Sequence, residues 1–170
     1  MKITTFPIAG PWSGRLAVLL RPRGGDWLSD DVAAWRKEGI EVVVSALTPD
    51  EIDNFQLGEE DAALHASGLE PIAFPIPDRG TPASMEASHG VLRRILELLN
   101  KGKHVGIHCR QGIGRSGMIA AMVLVLAGVG TSQAWKRIEL ARGCPVPETP
   151  EQKSWVERFA RSELAQTVGD

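Results

Sequence analysis

Apolar positions divide the chain into short β-type runs and longer helical stretches. Leu16-Ala-Val-Leu-Leu20 is an apolar run that stops at Arg21-Pro-Arg-Gly-Gly25, predicting a strand that ends in a loop. Ser29 or Asp30 stands where a helix cap belongs, for a helix reaching Lys37 and stopping at Gly39. Glu41-Val-Val-Val-Ser-Ala46 is β-branched and predicts a buried strand. Thr48-Pro-Asp-Glu51 reads as a cap, a first-turn proline and first-turn acids. A second short acidic helix covers Glu59 to Ala66 and stops at Gly68, and Pro71 to Pro77 predicts a strand running out into a loop.

The second half is more sharply patterned. Val91, Leu92, Ile95, Leu96, Leu98 and Leu99 recur at helical spacing between Ser84 and Asn100, and Gly102 ends that helix. His104-Val-Gly-Ile-His108 predicts a short buried strand, followed by a glycine-containing turn and a helix from about Arg115 to Leu126. Thr131 or Ser132 caps a further helix through Arg142, and a proline-rich link from Cys144 leads to a last helix from Pro150 to Leu164. The alternation predicts an α/β fold: a mostly parallel central sheet with helices on both faces, in one domain spanning residues 1–170.

Composition narrows what such a domain does. The 170 residues are 43% hydrophobic and 24% charged, with a net charge of -2, which excludes a disordered chain and lends no support to electrostatic nucleic-acid binding. Two cysteines cannot staple a secreted miniprotein or supply the four ligands of a zinc ribbon, so a reducing compartment is expected. Met118 to Val129 is too short to span a bilayer. Met1 to Pro7 has no signal-peptide apolar run, and Lys2 and the final Thr-Val-Gly-Asp carry no lipid-anchor signal. The expectation is a cytoplasmic protein with no membrane or nucleic-acid partner.

The net charge conceals a split. Glu38 to Asp78 holds ten acidic residues and no Lys or Arg, leaving eleven acidic against all nineteen basic residues elsewhere. The acidic stretch reads as a solvated face on surface helices, and the basic remainder has room for an anion site.

The segment His108-Cys-Arg-Gln-Gly-Ile-Gly-Arg-Ser-Gly117 carries the chemistry. It joins a strand to a helix at the carboxyl edge of the sheet, where open α/β folds place ligands. Gly112 and Gly114 permit turns and close approaches that side chains would block. The backbone N–H groups of Arg110, Gln111, Gly112, Ile113 and Gly114 can form an anion nest, reinforced by the helix N-terminus behind it. Arg115 offers a planar fork for two phosphate oxygens. Thiols at a helix N-terminus beside a cation ionise readily, so Cys109 is expected as a thiolate nucleophile. Ser116 is placed to donate a hydrogen bond to it, and His108 to orient the loop through ring hydrogen bonds to backbone.

His-Cys-x-x-Gly-x-x-Arg-Ser resembles the signature of the cysteine-dependent protein tyrosine and dual-specificity phosphatases. The resemblance implies that fold, a phosphocysteine intermediate, a phosphorylated protein or peptide substrate, and no metal or organic cofactor. It also demands a general acid on an upstream loop. Asp78, in Phe74-Pro-Ile-Pro-Asp-Arg-Gly-Thr-Pro82, meets that demand and is similar to the acid loop of kinase-associated phosphatases; read alone, it is a turn residue. Val146-Pro-Glu-Thr-Pro-Glu-Gln152 resembles the family's glutamine loop, whose two glutamines help place the hydrolytic water, with Gln152 at its second glutamine and Glu148, expected to face solvent, at its first. Read alone, it is a helix N-terminus after prolines.

Other positions carry less. Cys144 reads as a packing cysteine or a resolving thiol for Cys109, His65 and His89 have no partner at ligand spacing, and His104 reads as a strand-start residue. Trp12 and Arg15 occupy a segment that lies near the substrate mouth in some small phosphatases. Phosphoinositide phosphatases of the superfamily tend to have two lysines in this loop; here Arg110 stands at one place and Ile113 at the other, which lowers the case for a phosphoinositide substrate but keeps it as the alternative, while the composition lends no support to an RNA 5′-phosphate. A silent phosphate-binding module, or a sulfurtransferase or arsenate reductase, stays open as an alternative built on the same loop.

Overall fold

A computed structural model describes residues 3–166; the chain ends on which the absence of a leader or anchor was read, 1–2 and 167–170, lie outside the described residues. Five strands form one sheet: β1 (Thr5–Ile8), β2 (Arg15–Leu19), β3 (Val42–Ser45), β4 (Glu70–Ala73) and β5 (His104–His108), in the order β1-β2-β5-β3-β4. All neighbours are parallel except β1 and β2. The expected mostly parallel sheet is therefore present, with one antiparallel pair at its edge.

Strand alternation sends side chains to two different layers. Leu16, Val18, Val42, Val44, Val105 and Ile107 face a large core with α4 (Met85–Asn100), α5 (Gly114–Leu126), α6 (Thr131–Arg142) and α7 (Pro150–Arg161). Leu19 and Val43 face a smaller core with α1 (Leu28–Lys37) and α3 (Glu60–Ala66), beside which lies α2 (Pro49–Asn54). Nearly every residue of α5 is buried, as its apolar run predicts. Each buried large aliphatic there contributes about 1.5–3 kcal/mol of transfer free energy, which fixes the axis of the helix behind the cysteine loop.

Several boundaries differ from the pattern-based reading, each for a local reason. β1 went unread because Pro7 interrupts it; at an edge the missing donor is tolerated. α1 begins at Leu28 after a 3-10 turn, Gly25–Trp27, so neither Ser29 nor Asp30 is its cap. α6 is preceded by Gly130 with no side-chain cap, so Thr131 and Ser132 lie inside it. β4 is confined to Glu70–Ala73, although Phe74 and Ile76 still donate to Ser45 and Ala46. The last helix breaks at Ser162, whose extended backbone separates α7 from α8 (Glu163–Gln166). Among the described residues no helix is long and apolar enough to cross a membrane.

Candidate active site

The carboxyl ends of β5, β3 and β4 open on one edge of the sheet, and the loop 109–113 turns there into α5. Cys109 lies at its floor, 1% exposed. Gly112 adopts φ +72°, a left-handed conformation costly for other residues, and this aims its N–H at Cys109 Sγ, 3.2 Å away. Among the described residues, the N–H groups of Arg110, Gln111, Ile113 and Gly114 donate to no protein acceptor. They are the free donors that an anion nest requires. Arg142, on α6, braces the loop from behind: it donates to the carbonyls of Gly112 (2.7 Å) and Gln111 (3.3 Å).

Arg115, 1% exposed, is held by a more elaborate set of contacts. Its Nη1 donates to Glu51 Oε1 (2.6 Å), Ile76 O (2.9 Å) and Ala46 O (3.4 Å). Its Nη2 donates to Glu51 Oε2 (2.8 Å) and to Asp78 Oδ1 (3.3 Å). Burial alone would pull the guanidinium down. The hydrogen bond to Glu51 and the proximity of Cys109, Glu51 and Asp78 outweigh burial and hold it above its ordinary value. In return, the hydrogen bond from Arg115 leads the effects that keep the Glu51 carboxyl below its ordinary range, against desolvation. Glu51 also accepts from the Thr48 N–H, completing the capping box that starts α2. One carboxylate therefore starts a helix and fixes the arginine.

Asp78 spans from floor to rim: Oδ1 meets Arg115, and Oδ2 meets Arg110 Nη1 at 3.4 Å. Its side chain is 40% exposed, and both contacts are long for charged pairs.

The remaining expected residues are placed less simply. His108 is fully buried, and its ring bonds a carboxylate rather than backbone: Nε2 lies 2.6 Å from Glu60 Oε1 on α3, with Trp35 stacked beside the ring. Its Nδ1 has no hydrogen-bond partner among the described residues. Ser116 Oγ is buried without a hydrogen-bond partner among the described residues, so the contact with Cys109 Sγ expected of it is not made. Gln152 is fully buried and committed: Oε1 accepts from Glu148 and Thr149 N–H, and Nε2 donates to Gly80 O in the acid loop. Glu148 does not face solvent alone, since Oε2 meets Arg79 at 3.5 Å. A Cβ at Gly114 would stand 2.6 Å from Glu148 Oε1 and 3.0 Å from Gln152 Oε1, so this glycine serves close approach rather than an unusual φ. Trp12 and Arg15 lie elsewhere: Arg15 is in register with His104, at the opposite edge of the sheet. Cys144 is half-buried rather than buried.

Sequence reasoning missed Glu51, Glu60 and Arg142. Glu51 carried one signal, the Thr48-x-x-Glu51 capping spacing, which reports the helix start but not the distant arginine. The acidic stretch is thus only partly a solvated face, because Glu51, Glu60 and Asp78 all turn into the site.

Comparison with known proteins bears on this arrangement. Residues 19–129, more than half of the chain, match the family model described as "Tc-R-P: Polymorphic toxin system, DSP-PTPase phosphatase". The chain belongs to this DSP-PTPase phosphatase family. The matched span contains Glu51, Glu60, Asp78 and the whole cysteine loop, and stops short of Gln152. The chain is 25% identical over 140 residues to cyclin-dependent kinase inhibitor 3 of Rattus norvegicus, covering 81% of this chain and 65% of that protein. It therefore spans somewhat under two thirds of that relative's length. Among solved structures, kinase associated phosphatase shares the fold at a TM-score of 0.86, with 19% identity and 95% and 98% of the two chains covered. Tk-PTP in its active form matches at a TM-score of 0.71 with 28% identity, covering 86% and 92%. As a DSP-PTPase relative, the chain places its signature loop in the strand–loop–helix setting its spacing predicts.

Proposed function

We propose that this protein hydrolyses phosphate monoesters on protein substrates, phosphotyrosine foremost and phosphoserine or phosphothreonine in addition, through a phosphocysteine intermediate. The observation that carries the reading is convergence. A nucleophile from the end of β5, an arginine from α5 and a carboxyl group from the loop after β4 meet at one edge of the sheet, although Asp78 and Arg115 are 37 residues apart.

In the first step Cys109 sulfur attacks phosphorus, and the bond from phosphorus to the ester oxygen breaks. Asp78, protonated, gives its proton to that departing oxygen, so the alcohol or phenol leaves neutral. Arg115 and the free loop amides hold the three equatorial oxygens, where charge accumulates in the transition state. The Arg115 edge bearing Nε–H has no protein acceptor among the described residues, which suits it to receive phosphate alongside Nη2. In the second step Asp78, now a carboxylate, takes a proton from water as the water oxygen attacks phosphorus. The sulfur–phosphorus bond breaks and inorganic phosphate leaves. Ser116, whose hydroxyl has no competing partner, turns to the departing sulfur at this stage. Gln152 acts chiefly by tying the acid loop, through Gly80 O, to the cysteine loop. Neither step calls for a metal or an organic cofactor.

The test pairs an aryl phosphate with a phosphotyrosyl peptide. Cys109→Ser should abolish turnover of both. Rapid acid quenching of the native enzyme should trap one phosphate on Cys109, readable by mass spectrometry. Turnover that depends on an added metal and survives Cys109→Ser would overturn the proposal.

A further inference from the structure

Four carboxylates of the acidic stretch have no cation beside them. Asp50 and Asp53 on α2, and Glu59 and Asp61 at the start of α3, are exposed and make no ion pair among the described residues. Charge alone would leave this a solvated face, but the helices that carry it roof a cavity of about 100 Å³. Its walls are apolar: Val43 from β3, Ile72 from β4, Ile52 from α2, Leu57 from the connection and Leu64 from α3. Glu60 lines it as well, although the residue is only 4% exposed. One of its oxygens, Oε1, is taken by His108; Oε2 accepts no hydrogen bond among the described residues. Exposed Gly58 and Asp61 also border the cavity, and a Cβ at Gly58 would meet nothing within 4 Å, so the mouth is open there. A buried carboxylate on an apolar wall, with a second carboxylate outside, favours a cation carried on an apolar stem.

We infer that this face docks a basic segment of a partner protein, and that one lysine of the segment enters the cavity. An apolar cavity of about 150 Å³ holds benzene, so one of about 100 Å³ suits an unbranched side chain of about five atoms rather than a ring. Lysine is such a chain. Its stem packs along the apolar walls, and its compact ammonium donates to Glu60 Oε2. The planar fork of arginine is wider and fits less well. The exposed acids of α2 and α3 supply the long-range part, drawing in the basic flanks of the segment in a salt-sensitive way. The link to the cysteine loop is the Glu60–His108 contact, and docking is measured apart from turnover.

The experiment measures the Kd of the full chain for a fluorescent peptide with a central lysine between arginine and glycine flanks, and for the same peptide with norleucine, acetyllysine or arginine at the centre. Norleucine keeps the stem and removes the charge. The lysine peptide should bind about ten- to hundredfold more tightly than the norleucine peptide, the scale of a hydrogen bond to a charged group. The acetyllysine and arginine peptides should resemble norleucine. Added salt should weaken all four and largely preserve the lysine-to-norleucine ratio, because the flanks meet exposed acids and the ammonium a buried one. Glu60→Gln should bring that ratio close to one. Gly58→Phe closes the mouth from a position with room for a side chain and should do the same with Glu60 in place, so a folding defect in the first variant does not decide the outcome. Absence of saturable binding by the lysine peptide, equal binding of the lysine and norleucine peptides, or a ratio that survives Gly58→Phe would overturn the docking site. So would binding of n-butylammonium in the cavity without binding of the lysine peptide.

Discussion

The floor and the rim of the site are built from the same kinds of charged group and behave oppositely. At the floor, Arg115 is 1% exposed, and two of its contacts to Glu51 are 2.6 and 2.8 Å. At the rim, Arg110–Asp78 and Arg79–Glu148 are separated by 3.4 and 3.5 Å, and their arginines are mostly exposed. Pairing removed from water is strong but must be complete, because a lone buried charge is expensive. Pairing in water is weak and easily exchanged. The difference suits the two tasks proposed for these groups: an arginine held still while phosphate binds, and an acid free to travel between a resting contact and a leaving oxygen.

Breaking the floor should have the largest effect, on stability and rate together. Glu51→Ala strands the Arg115 charge and removes the Thr48 capping box. Denaturant unfolding should show a loss of about 3–5 kcal/mol, and activity should fall with it. Asp78→Asn, by contrast, should separate the two properties. Hydrolysis of an ester with a poor leaving group should drop by roughly 10²–10⁴-fold, the scale of general acid catalysis, while the unfolding midpoint stays within experimental error. Full activity in Asp78→Asn would remove the acid assignment. Glu60→Ala leaves the buried His108 ring without its carboxylate and should cost about 1–3 kcal/mol; Glu60→Gln, which keeps a polar partner, should cost less.

A pH titration sharpens the same contrast. The Glu51 carboxyl is held below its ordinary value of 4.5 in the folded protein, foremost by its hydrogen bond from Arg115. Its contribution to stability is therefore fully present above that value and is lost as pH falls from it through the lowered folded value. Unfolding curves of the native protein should steepen in that window relative to Glu51→Gln; superimposable pH profiles would argue that the pair is not what couples folding to protonation. The smallest effect belongs to the rim: Arg79→Ala should change stability by no more than about 0.5 kcal/mol.

The sequence made the reaction-bearing loop legible because its chemistry is local. Cys109, Gly112, Gly114 and Arg115 lie within one turn and one helix start, so spacing alone places them together. Asp78 was reachable only because the family resemblance asked for an acid upstream. The partners that hold these groups were not legible. Glu51 and Arg115 are 64 residues apart, and Glu60 and His108 are 48 apart, so only tertiary packing brings them together. The same limit applies to Gln152: the loop motif implies water placement, but its contacts, from the Thr149 cap to Gly80, come only from tertiary packing. Strands were readable where both faces are buried. β1 was missed because Pro7 interrupts it, whereas β4, at the other edge, was readable although it holds Pro71.

The Glu60–His108 contact reaches across the molecule in a way that bears on inactivation. Cys109 packs with the larger core, yet the residue just before it is clamped to α3, a seven-residue helix of the smaller one. Short peripheral helices open more often than a central one such as α5. Each opening of α3 releases the histidine that anchors the cysteine loop while α5 and the larger core stay folded. On heating, catalytic activity should therefore decline before bulk helicity, and amide exchange in α3 should track the decline.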